Sequence, residues 1–190
     1  MIIRKATLKD SKAIAPLLLL AMEDIIYTFI NTNDYQKAIA FLLHFIAQEN
    51  NQYSYQNCVV AEQENQIIAA VNIYDGAKLI ELRNPIIAYI HTHFNPAFCP
   101  EAETQAGEFY IDCLGVNPNQ QGKGIGSQLL AFLIQEYVVQ NQKIVGLLVD
   151  DKNPQAKKLY LKLGFKSVGK KSLVGKTLEH LQITSNSSLF

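Results

Sequence analysis

Apolar positions along this chain recur with two periods, and the changes between them mark the elements. Ile2 to Ala6 is a short β-prone run. Beyond it Ile14, Leu17, Leu18, Ala21 and Ile25 follow helical spacing, with Asp10 placed to cap a helix predicted to run to about Phe29. Asn31 to Asn33 breaks the pattern. Ala38, Phe41, Leu42 and Phe45 then mark one face of a second helix over roughly Asp34 to Gln48. Cys58 to Glu62 and Ile67 to Tyr74 read as strands, with Glu64-Asn65 as a hairpin turn between them. From Ala77 to Gly107 the pattern weakens: Pro85 is placed to open a helix through His91 and Phe94, and Asn95 to Gln105 reads as an acidic loop.

Regularity returns at Phe109 to Val116, an apolar strand interrupted by Asp112. A helix predicted from Gln128 follows, burying Leu129, Leu130, Leu133 and Tyr137, and Ile144 to Val149 is a strongly apolar strand. Asn153-Pro154 supplies a cap and a first-turn proline for a helix carrying Ala156, Leu159, Tyr160 and Leu163 on one face, which Gly164 ends in a left-handed conformation. Phe165 to Val168 and Leu178 to Thr184 read as two paired last strands. The order predicts an α/β fold with a mixed central sheet and helices on both faces.

Length and charge narrow the classes. At 190 residues the chain suits one domain, 1–184, followed by a loose polar tail, 185–190. Seventeen basic residues offset seventeen acidic ones, so no global field gathers nucleic acid or anionic lipid. Cys58, Cys99 and Cys113 are odd in number and in no metal spacing, which predicts buried thiols in a reducing compartment. The apolar run from Ala13 to Met22 is short for a bilayer, contains Pro16 and follows Asp10 and Lys12, so a cytoplasmic protein without a membrane helix is expected.

The chemistry gathers between strand and helix at Leu114 to Ser127. Gly122, Gly124 and Gly126 permit backbone conformations closed to other residues, and a helix start leaves N–H groups for a phosphate. A Walker loop is excluded because Gly124 follows Gly122-Lys123, and a dinucleotide fingerprint would need glycine at Ser127 or Leu129. What remains, Gln121-x-x-Gly124-x-Gly126 after Val116-x-Pro118, resembles the acetyl-CoA loop of the GNAT superfamily of N-acetyltransferases. The later segment Asn153-x-x-Ala156-x-x-Leu159-Tyr160-x-x-x-Gly164-Phe165 resembles the stretch after the fifth strand in the same enzymes.

The resemblance implies acetyl-CoA as cosubstrate, no metal, and transfer to a primary amine of a small molecule or a protein. It implies backbone pairing of Leu114, Gly115 and Val116 with the pantetheine arm, where the fourth and fifth strands splay, and N–H contacts from Gln121, Gly122, Lys123, Gly124, Ile125, Gly126 and Ser127 to the pyrophosphate. Asn153 would add an amide contact besides capping its helix, and Tyr160 would be the general acid, a phenol of pKa about 10 beside a thiol of about 8.5. The base is not carried by the motif, because the family's frequent glutamate position is Tyr110 here.

Strand alternation sets Glu108, Tyr110, Asp112 and Leu114 on one side, which makes Asp112 the first candidate base, Glu108 the second and a water chain the third. Glu101 and Glu103 read as a solvated loop; the adjoining segment 77–107 is placed to shape the acceptor pocket, and His91 and His93 are two apart, which argues against a metal site. Members of the superfamily commonly dimerise, and the last strands are candidates for that contact. A non-catalytic CoA-binding sensor or scaffold is the alternative reading.

Overall fold

The computed structural model of the protein describes residues 1–173 and 175–185; of the tail expected at 185–190, all but residue 185 lies outside the described residues. Seven strands form one sheet in the order β1-β2-β3-β4-β5-β7-β6. They are β1 (Ile2–Lys5), β2 (Cys58–Gln63), β3 (Gln66–Asp75), β4 (Phe109–Val116), β5 (Val145–Val149), β6 (Lys166–Leu173) and β7 (Lys176–Ile183). The helices are α1 (Ser11–Ile30), α2 (Tyr35–Ile46), α3 (Leu79–His93), α4 (Ile125–Leu133), which widens into a π-helix at Ile134–Gln140, and α5 (Pro154–Lys162). The sheet is mixed: β4 and β5 run parallel, whereas β1–β2, β2–β3, β5–β7 and β6–β7 are antiparallel.

Contacts divide the chain into two compact units: 1–73 with 80–99 and 113–129, and 74–79 with 100–112 and 130–190. In the first unit Ile14, Leu18 and Ile26 of α1 and Leu42 of α2 are fully buried, as are Val60 and Ala61 of β2 and Ala69 to Val71 of β3. Removing each large side chain of that set from water is worth about 1.5–3 kcal/mol. Asp34 caps α2 by accepting from Lys37 N at 3.0 Å. The β2–β3 hairpin turns where expected, with Glu64 and Asn65 both left-handed at φ 52° and 60°, as a tight two-residue turn between twisted strands requires.

Several expectations change, among them the start of α4, which is Ile125 rather than Gln128. Asp10 does not cap α1: its carboxylate accepts from Thr7 N and from the two terminal guanidinium nitrogens of Arg4, so Thr7 opens a short 3₁₀ turn from which α1 continues. The apolar stretch is longer than its sequence run, because α1 with that turn extends from Leu8 to Ile30, 23 residues that contain an 18-residue window of mean hydropathy 1.8, half of it buried. Its backbone leaves helical geometry at Met22, φ −138°, ψ 26°. The third helix starts at Leu79 and runs through Pro85 rather than from it. Cys58 and Cys113 are buried as expected, but Cys99 is exposed.

In the second unit β5 lies between β4 and β7, with Gly146 opposite Tyr110 on one side and Gln182 on the other. Asn153 accepts from Ala156 N at 3.2 Å as the cap of α5, Pro154 takes the first turn, and Gly164 is left-handed at φ 95°, all as the sequence predicts. Lys157 on α5 pairs with Glu179 on β7 and Asp151 in the preceding turn.

Candidate active site

Strand β4 ends at Val116, and Asn117 turns the chain by accepting from Asn119 N at 3.0 Å. The glycine loop follows. Gly122 and Gly124 both sit at φ 77°, where a side chain is strained. A Cβ on Gly122 would meet nothing within 4 Å, and one on Gly124 only Gln128 Nε2 at 4.0 Å, so both glycines open outward. The first bond of α4 is Gln128 N to Gly124 O at 3.1 Å. The N–H groups of Ile125, Gly126 and Ser127 precede it and point out of the helix start, where the helix dipole also favours an anion.

Two side chains brace this cradle. Gln121 Nε2 donates to Val116 O at 3.1 Å, tying the loop back to the strand end. Lys123 Nζ donates to Gln120 Oε1 at 2.8 Å and Asn119 O at 3.3 Å, so its ammonium is held by its own loop. Gly126 lets α4 start close to β4, its Cβ position 3.5 Å from Leu114 Cδ2 and 3.8 Å from Val116 Cγ2. At Gly115 an added Cβ would lie 1.8 Å from Leu17 O of α1. A backbone loop with left-handed glycines, open space above them and free helix-start N–H groups fits a pyrophosphate.

In the second unit β4 begins beside a buried polar cluster. Glu108 accepts from Thr104 Oγ1 at 2.7 Å on one oxygen and from Gln182 Nε2 at 2.7 Å and His180 Nε2 at 2.8 Å on the other. Burial pushes its carboxyl up, but the His180, Thr104 and Gln182 donors outweigh that and hold it below the usual carboxylate range. His180, Thr104 and Gln182 were not singled out by sequence; the signal available, a histidine in an apolar strand, is too common to single out.

Glu103 is a correction. It is 2% exposed rather than solvated, and accepts from Tyr74 Oη at 2.8 Å, while Tyr74 packs edge-on against Tyr110 with ring centroids 5.8 Å apart. Glu101 is exposed, as expected. Asp112, two residues beyond Tyr110, is half-buried. The parallel pairing with β5 runs from Phe109–Val145 to Ile111–Leu147, and β4 continues from Asp112 to Val116 beyond that register. Tyr160 is half-buried on α5 with its ring 5.8 Å from Phe165, and Asn153 is exposed at the start of the same helix. His91 Nε2 lies 2.7 Å from Phe98 O and His93 packs on Tyr89; among the described residues no His, Cys, Asp and Glu side chains cluster in a metal-binding group.

The family model described as the acetyltransferase (GNAT) family matches residues 22–165. No curated protein sequence matches the chain closely enough to count as a relative. Among solved structures, an N-acetyltransferase from Staphylococcus aureus Mu50 superposes with TM-score 0.83 at 22% identity, over 96% of this chain and 100% of that one. A structure described as an acetyltransferase gives TM-score 0.81 at 29% identity, over 98% and 100%. The PaiA N-acetyltransferase from Thermoplasma acidophilum, in complex with coenzyme A, gives 0.57 at 14% identity, over 96% and 98%.

Proposed function

Because the chain belongs to the GNAT family of acetyltransferases, and so is an acyltransferase that uses acetyl-CoA, we propose that its acceptor is a primary amine and that transfer occurs by direct attack in a ternary complex. Bound acetyl-CoA supplies an acetyl group activated as a thioester. The observation that carries the site assignment is the cradle after β4, two left-handed glycines ahead of an open helix start. In this reading the N–H groups of Gln121 to Ser127 hold the pyrophosphate, and the backbone of Leu114 to Val116 pairs with the pantetheine arm. The register of β4 with β5, which ends at Ile111–Leu147, supports that use of the later residues. Asn153 spends one oxygen on capping and keeps its amide N–H groups to offer.

Three groups divide the chemistry. The Val116 N–H polarises the acetyl carbonyl. Asp112, directly or through a water, removes the proton that keeps an amine of pKa about 10 from attacking. Glu108, the other carboxylate flanking Tyr110, is poorly suited to that role, because it already accepts three hydrogen bonds and is held below the usual range. Tyr160 returns a proton to the departing sulfur. The net charge of zero supports a small amine or a protein amine over nucleic acid as partner, and three free cysteines support a reducing compartment, the cytoplasm.

The test is release of CoA thiol from acetyl-CoA with a panel of amines, alongside calorimetric titration with acetyl-CoA. Tyr160→Phe is expected to lower turnover about 100-fold with acetyl-CoA affinity unchanged. Unchanged turnover removes Tyr160 from its role; binding without thiol release by the wild type would sink the amine-transfer reading.

A further inference from the structure

Glu108, Gly146, His180 and Gln182 are far apart in the chain and meet at one place. Tyr110, Gly146 and Gln182 form one row across β4, β5 and β7. The Glu108 side chain, 1% exposed, crosses that row above Gly146 to reach Gln182 and His180 on β7. It can do so because residue 146 lacks a Cβ, which would lie 2.0 Å from Glu108 Oε2 and 3.2 Å from His180 Nε2. The connection before β4 is fastened to the same carboxylate through Thr104, and the Glu108 carbonyl accepts from Gly76 N at 2.8 Å. Gln105, next to Thr104, accepts from Lys171 Nζ of β6 at 3.0 Å.

A buried carboxylate must be matched by donors, and this one has three. A group so committed is poorly placed to collect a proton from a substrate and well placed to fix a strand. We infer that Glu108 and His180 are positioning residues of the reaction: the pair ties the start of β4 to β5 and β7 and so sets the placement of Asp112, four residues further on. This rests on the reading that Asp112 takes the amine proton.

Two substitutions at one position test it. His180→Gln keeps an N–H donor near the Nε2 position and cannot ionise, whereas His180→Leu has similar bulk and no donor. Amine acetylation, normalised to folded protein that binds acetyl-CoA, is read together with amide hydrogen exchange of peptides covering Glu108 to Asp112. His180→Leu is expected to lower kcat by about tenfold, the scale of one buried charged hydrogen bond, and to speed exchange, with acetyl-CoA affinity unchanged. His180→Gln is expected to restore both readouts. Wild-type turnover in His180→Leu, or equal damage in His180→Gln, overturns the proposal. If the wild type acetylates no amine, the amine reading falls on its own, and exchange decides the tie: unchanged exchange in His180→Leu overturns it. Should His180→Leu not fold, Gln182→Met removes one donor from the same oxygen and is expected to move both readouts the same way by less; no movement overturns the tie.

Discussion

Arg4 holds Asp10 with two guanidinium nitrogens, at 2.8 and 2.9 Å, and Glu62 with a third contact at 2.8 Å. The Arg4 hydrogen bonds, aided by Thr7 and opposed by burial, lower the Asp10 carboxyl to about 2. A folded-state pKa below the unfolded value means that the unfolded chain binds the proton more readily. Stability from this pair is therefore complete above the unfolded carboxylate value near 4 and is lost as pH falls toward 2. With Arg4 one-third exposed, the contribution is about 1–2 kcal/mol. Asp10→Asn is expected to lose that amount at pH 7 and to show a shallower decline between pH 4 and 2 in urea titrations; an identical acid slope would dismiss the pair. Lys123 leads to a different expectation, since its ammonium is already bonded within its loop. Lys123→Ala should weaken acetyl-CoA binding by less than about fivefold in calorimetry, an exposed charge being worth about 1 kcal/mol or less; a loss of a hundredfold would make it a principal phosphate ligand.

At the scale of elements, what was legible followed from local pattern. All seven strands were found within a few residues of their starts, because alternation and β-branched runs are local signals. The start of α3 was not. Leu79, Leu82, Ile86 and Ile90 are buried at helical spacing, but Pro85 interrupts them and resembles a first-turn proline, and nothing local says that packing will hold a helix through it. The site divided the same way. The Asn153 cap is local and stands where the sequence put it, and Gly122 and Gly124 are left-handed as the glycine spacing suggested, but α4 starts at Ile125 rather than Gln128, so Gly126 lies inside the helix. Glu108 and His180 are 72 residues apart and become neighbours only through strand order. Gly124→Ala separates binding from folding: its Cβ meets no obstacle, so only backbone strain of about 1 kcal/mol is added. A fall of at least about tenfold in acetyl-CoA affinity with a small loss of Tm is expected, the former from a displaced N–H; unaltered affinity would reduce the loop to a turn. Gly115→Ala should do the reverse, because its Cβ meets the Leu17 carbonyl at 1.8 Å and the main chain of α1 must move. A stability loss of about 1–3 kcal/mol in denaturant titration is expected.

For the molecule as a whole the least obvious element is α1. With its leading turn it is long and apolar enough to cross a bilayer, and its composition alone does not separate that role from a place in the core. Packing bears on the difference. A membrane helix would turn its apolar residues to lipid on most sides, whereas α1 is two-sided: Ile14, Leu18 and Ile26 are 0% exposed and Leu20 is 53% exposed. Its start is held by Asp10 through the Arg4 ion pair, which suits an element anchored within the fold. The two faces should respond differently to the same truncation. Leu18→Ala is expected to cost about 2–5 kcal/mol of unfolding free energy in buffer without detergent, since it empties a packed position. Leu20→Ala should stay within about 0.5 kcal/mol. Equal small losses at both positions, or stability that depends on added detergent, would mean that α1 is not held by the protein core and that its apolar surface has another partner.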